Sequence, residues 1–186
     1  MRLIDDLLES VRGRDAPVRR VCVELHWMVV ESRHAGVAHT FRSVNDRNLA
    51  AIAGKRVAVS GRFPFNDLLA EKSGKAFFFE MEPEGEELPP FAAEEVLPDV
   101  DVAVISATAL INKSLPRLLE LAKGALSVVL GPSTPMNRVL LGHGARLLGG
   151  IRVRDPDALF SCLAEGVKKF SRIAGIEPVI LERPSR

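Results

Sequence analysis

The sequence predicts an α/β protein, a Rossmann-like, doubly wound parallel sheet preceded by a small α+β unit. Three observations predict it. From Lys55 onward, short valine-rich runs alternate with helical patterns at the spacing of βαβ units, which marks parallel strands joined by crossover helices. Within that region Thr134 precedes Pro135 and Asp155 precedes Pro156, each placing a side-chain acceptor at a helix N-cap and proline at the first helical position. Residues 1–45 lack this alternation and read as one amphipathic helix followed by a hairpin.

In chain order, Leu3, Ile4, Leu7, Leu8 and Val11 share one face of a 3.6-residue period, so residues 2–12 form a helix ended near Gly13. Val18 to Glu31 reads as a strand, Arg33 to Gly36 as a turn and Val37 to Phe41 as the returning strand. Residues 46–54 are a linker or short helix closed by Gly54, and 55–186 form the Rossmann-like domain. Its strands are expected at Arg56–Ser60, Ala76–Met81, Val102–Ser106, Ser127–Leu130 and Arg146–Leu148. Helices are expected at 64–72, 92–97, 112–123, 134–141 and 155–172, the last broken near Gly166. The acidic, proline-rich segment Glu82 to Pro90 reads as a solvated loop.

Composition narrows the function. In 186 residues there are 25 basic and 24 acidic side chains, a net charge of +1, so no overall field favours nucleic acid or a membrane surface as partner. Cys22 and Cys162 stand far apart among apolar neighbours, as buried free thiols do. No apolar run approaches the roughly 20 residues of a membrane span, and the N-terminus lacks the apolar region of a secretory signal, so the expectation is a cytoplasmic protein.

In an open α/β sheet, ligands bind outside the carboxyl ends of the strands. That rule selects Gly61 and Phe63 after the first strand, Glu80 at the end of the second, Thr108 and Asn112 after the third, and Gly131, Ser133 and Thr134 after the fourth. Gly61 opens a run Gly-Arg-Phe-Pro that lacks the second and third glycines of the dinucleotide fingerprint, which argues against NAD. Glu80 stands where a ribose-binding acid sits in dinucleotide folds, and equally where a solvated strand-end carboxylate would. Asn112, Ser133 and Thr134 read either as helix caps or as polar groups beside an anion at a helix start. The histidines, His26, His34, His39 and His143, match no tight metal spacing, although Glu24 and His26 on one strand and His39 on its partner could converge. No serine stands in a GxSxG elbow.

The runs Val57 to Phe65, Phe79-Glu80, Leu97 to Asn112, Val128-Val-Leu-Gly-Pro-Ser-Thr-Pro135, Leu148-Gly-Gly150 and Asp155-Pro156 together resemble the "putative heavy-metal chelation" family, over about residues 55–165. That resemblance implies a Rossmann-like domain beside an N-terminal domain similar to that of enolase, here short, with Gly36-Val-Ala-His-Thr40 as its remnant. It implies a cleft between the two units that holds a small anionic, metal-chelating or metal-bearing ligand. The rim so implied is Gly61, Phe63, Glu80, Thr108, Asn112, Gly131, Ser133 and Thr134. Glu80 and His39 are the candidate ligands to a divalent metal ion. The expected function is binding of that ligand, with a role in heavy-metal handling. The alternatives are a nucleotide- or S-adenosylmethionine-dependent transferase with Glu80 on the ribose, and an interaction module. Whether a reaction is catalysed stays open. The size of the first unit leads us to expect a homo-oligomer, with a dimer the simplest case, in which the N-terminal hairpin contributes to both cleft wall and subunit interface.

Overall fold

The computed structural model describes residues 2–12, 18–24, 27–32, 52–166 and 173–183. Five parallel strands form most of the main sheet: β3 (Arg56–Ser60), β4 (Lys75–Phe79), β5 (Val102–Ser106), β6 (Leu126–Leu130) and β7 (Leu147–Val153). A sixth, β8 (Ile176–Glu182), pairs antiparallel with β7, and the spatial order is β4-β3-β5-β6-β7-β8. The order reverses at β3, which is flanked by β4 and β5, so the topological switch point lies at the carboxyl end of β3. The expected strands and their parallel pairing are thus present.

Two cores sandwich this sheet. On one face Ala58, Ala103, Ile105, Val129 and Leu148 pack under α1 (Arg2–Val11), α3 (Ala93–Val96), α4 (Leu115–Leu121) and α5 (Arg138–Gly142), burying Leu3, Leu115, Leu119 and Leu140. On the other, Val57, Val59, Val102 and Val104 pack against Ile52 and against Leu69 of α2 (Asn66–Lys72). Central strands buried on both faces explain the unbroken valine-rich runs, and each fully buried side chain of this size contributes roughly 1.5–3 kcal/mol. The helix α6 (Pro156–Ala164) closes a third, small core through Leu159 and Leu163 with Ile173. Asp155 caps it as expected, accepting from the Ala158 N–H at 3.0 Å ahead of Pro156, and it ends at Ala164, beside the break expected near Gly166, while 167–172 lie outside the described residues.

Three expectations are corrected. β1 (Val18–Glu24) and β2 (Trp27–Ser32) are paired antiparallel, with Glu24 opposite Trp27, so the run expected as one strand from Val18 to Glu31 is two, while the turn expected at 33–36 lies outside the described residues. The run from Val18 to Glu31 contains no glycine or proline, so nothing local marked its division into two strands. β8 was not anticipated. Its Pro178 demotes a strand reading, and apart from the buried Val179 its residues are half-buried or exposed, which is what the edge of a sheet tolerates. The helix expected from 134 begins at Arg138, where Asn137 is the N-cap and accepts from the Val139 N–H at 3.0 Å. The returning strand at 37–41 and the linker up to residue 51 lie outside the described residues. No described helix is long and apolar enough to cross a membrane.

Candidate functional site

A cleft of about 330 Å³ opens at the switch point. Its floor is the end of β3, Ser60-Gly61, and the end of β5, Ser106. Gly61 has φ +122°, and a Cβ there would come within 2.8 Å of the Ser106 Cβ, so only glycine lets the two strand ends meet this closely. The missing side chain admits a neighbouring strand rather than a pyrophosphate, in keeping with the incomplete glycine fingerprint.

Glu80 forms one wall. The chain after β4 loops out and returns beside it: Leu88 donates to Phe78 O at 2.7 Å, and Glu80 donates to Leu88 O at 3.0 Å. Arg62 pins this loop, donating from Nε to Glu87 Oε1 at 3.0 Å and from a terminal nitrogen to Glu87 Oε2 at 2.7 Å and to Glu82 O at 2.9 Å. The acidic segment is therefore a solvated loop, as expected, and one that Arg62 clamps. Hydrogen bonding to Arg62 pushes the Glu87 carboxyl down to about 2. Partial burial instead holds the Glu80 carboxyl above the usual glutamate value, opposed by the nearby positive charge of Arg62.

The opposite wall follows β5. Thr108 and Ser106 share a hydrogen bond of 2.7 Å between their hydroxyls. Asn112 Oδ1 accepts from the Ser114 N–H at 3.1 Å and from its hydroxyl at 2.6 Å, which ties off a turn carrying Lys113 at φ 64°. Lys113 is the only non-glycine residue with positive φ among those described, and it sits between two residues lining the cleft. With its oxygen occupied, Asn112 has its amide nitrogen left to offer. At the mouth, Arg117 of α4 forks onto Glu94 of α3, with Nε to Oε1 at 2.9 Å and a second, shorter contact to Oε2. Its remaining nitrogen reaches Glu120 at 2.8 Å.

Of the eight expected rim residues, Gly61, Glu80, Thr108 and Asn112 meet in this cleft. Phe63, Gly131, Ser133 and Thr134 are not among its lining residues. Phe63 stacks on Phe65, centroids 5.1 Å apart, against the core on the other sheet face. Thr134 is buried, and its hydroxyl donates to Gly131 O at 2.7 Å instead of capping a helix or facing a ligand. The loop continues onto the sheet, so that a Cβ on Gly150 would lie 2.7 Å from Met136 Sδ and 3.4 Å from Thr134 Cβ. Ser133 is exposed on its outer side. His26, His34 and His39 lie outside the described residues, and His143 pairs with Asp6 of α1 at 2.6 Å, away from the cleft lining. Cys162 is a free, half-buried thiol whose sulfur accepts from the Ala174 N–H at 3.3 Å. Among the described residues no group of three or more His, Cys, Asp or Glu is placed to hold a metal ion. Sequence reading missed Phe91, Glu94 and Arg117, all of which line the cleft. Their signal was weak, since Phe91 and Glu94 follow a proline-rich connection and Arg117 lies inside a helix.

A family profile described as "Putative heavy-metal chelation" (DUF364) matches residues 45–177. The chain belongs to that family. A DUF364 protein of unknown function from Desulfitobacterium hafniense is 31% identical, with a TM-score of 0.67 over 78% of this chain and 59% of its own. A second, from Pyrococcus horikoshii, shares the fold at 22% identity, with a TM-score of 0.58 over 69% of this chain and 54% of its own. The chain thus spans less than two thirds of either solved relative. No curated protein matches it. Nothing in these DUF364 likenesses supports the transferase alternative.

Proposed function

We propose that this DUF364 chain binds a small ligand that chelates or carries a metal ion, in the cleft at the carboxyl end of β3, as part of heavy-metal handling. The observation that carries the reading is the convergence of Glu80, the Ser106–Thr108 hydroxyl pair and Asn112 at the switch point. In that arrangement Glu80 is a carboxylate acceptor or metal ligand, the Asn112 amide nitrogen orients the ligand, and the hydroxyls donate to its oxygens. These are hard donors, suited to a cation or a hydroxyl-bearing group. Glu80 repels a bare anion, and Thr134, spent on Gly131 O, does not offset it.

The ion in this reading is cargo and not a resident cofactor. A thermal-melt screen of the protein against copper(II), nickel(II), cobalt(II) and zinc(II), each free and with a bidentate chelator, tests it. A ligand held at about a hundred times its dissociation constant stabilises the fold by about 2.7 kcal/mol. The expected result is a rise in melting temperature that Glu80→Ala and Asn112→Ala each reduce. A rise undiminished in both variants, or none with any probe, overturns the reading.

A further inference from the structure

We propose that the cleft takes its metal ion as an organic chelate, an ion already carrying a ligand with an apolar body, and not as the bare hydrated ion. This rests on the functional reading above and narrows its ligand. Phe91, Ile111 and Met81 are the three most exposed large apolar side chains among the described residues, at 77%, 72% and 71% of their surface. Phe91 and Met81 line the cleft, whereas Ile111 is not among its lining residues. Both lining residues come from the connection after β4, so the exposed apolar surface stands beside Glu80 at the opening.

The lip and the interior ask for different surfaces. The walls present Glu80 and the hydroxyls of Ser106 and Thr108. Exposed apolar surface gathered in one place marks where something apolar docks. A hydrated ion presents only water outward and gains nothing from Phe91 or Met81, whereas an organic chelate turns its apolar body toward them. The donor count agrees. Glu94, the other carboxylate lining the cleft, is already held by the fork of Arg117. One carboxylate and two hydroxyls fill only part of a coordination shell, the Asn112 oxygen being engaged by Ser114, and the chelator supplies the rest.

Calorimetric titration of the whole chain with three probes tests this: copper(II) chloride, the one-to-one copper(II)–2,2′-bipyridine complex, and bipyridine alone. We expect the complex to bind at least about tenfold more tightly than the free ion, the change that burying roughly one such side chain produces. Bipyridine alone should not bind measurably. The double variant Met81→Ala with Phe91→Ala should lose the tenfold advantage and keep the free-ion affinity. Met81→Leu, which removes the sulfur and keeps the apolar surface, should retain the advantage and so exclude thioether ligation as its source. Both positions are exposed, and an unchanged melting temperature confirms that the variants fold. Equal affinity for ion and complex, bipyridine binding as tightly as its complex, or an advantage that survives the double variant would each overturn the inference. Glu80→Gln separates the two proposals. If it weakens ion and complex alike while the apolar double variant changes nothing, the chelate inference alone fails. If Glu80→Gln leaves both probes unaffected, the placement of the site fails with it.

Discussion

The loop after β5 leaves Thr108 and Asn112 exposed beside Glu80, whereas the loop after β6, one strand over, folds back until Thr134 and Met136 rest on Gly150. Both loops carry small and hydroxyl-bearing residues at the carboxyl edge of one parallel sheet, and by residue type alone they are equivalent. Their fates differ because of two glycines. At Gly61 the absent Cβ draws the ends of β3 and β5 together and sets the cleft above them, while at Gly150 it makes room for the next loop to lie down on the sheet. A polar strand end becomes a site only where the following segment leaves it uncovered.

The contrast can be broken most strongly at Gly61. Gly61→Ala combines a φ of +122° with a Cβ 2.8 Å from that of Ser106, and is expected to destabilise the fold by about 2–4 kcal/mol in urea unfolding. Gly150→Ala should be milder, about 1–2 kcal/mol, because its closest contact is the mobile end of Met136. Thr134→Val removes a buried hydroxyl that donates to Gly131 O, and should lower stability by about 1 kcal/mol while leaving ligand binding intact. Glu80→Gln reverses that pattern. Burial raises the Glu80 pKa in the folded chain, so its ionisation opposes folding once the pH rises past that value. The variant should therefore be no less stable than the parent at neutral pH, and lose binding. A Glu80→Gln chain that melts well below the parent at pH 7 would place Glu80 among structural residues.

The smallest effect concerns the clamped loop. Glu87 has a folded pKa of about 2, below its unfolded value, so its contribution is present above the ordinary glutamate range and is lost as the pH falls toward 2. In a pH series of thermal melts, the difference between the parent and Glu87→Gln should shrink across that interval. A constant difference would mean that the Arg62 clamp adds nothing to folding.

Much of the fold was legible because central parallel strands must be apolar on both faces, which wrote the runs at Val57, Val102 and Val128 into the sequence. The division of 18–32 into two antiparallel strands and the edge strand β8 were not, the first for want of any glycine or proline and the second because a half-buried edge around Pro178 looks like loop. The switch-point rule found Gly61, Glu80, Thr108 and Asn112, since backbone topology alone brings those strand ends together. It also selected Gly131, Ser133 and Thr134, because no rule of residue type tells whether a loop folds down or stands away. Arg117 and Phe91 reach the cleft from segments whose approach depends on tertiary packing, which leaves no local trace.

In the proposed site the ligand sits between Glu80 and Asn112 and not at the loop after β6. The most direct measurement is a parallel calorimetric titration of the copper(II)–bipyridine complex into the parent, the double variant Glu80→Gln with Asn112→Ala, and Thr134→Val. Affinity is expected to fall at least about tenfold in the double variant and to stay unchanged in Thr134→Val. Undiminished binding in the double variant, with loss in Thr134→Val, would contradict it.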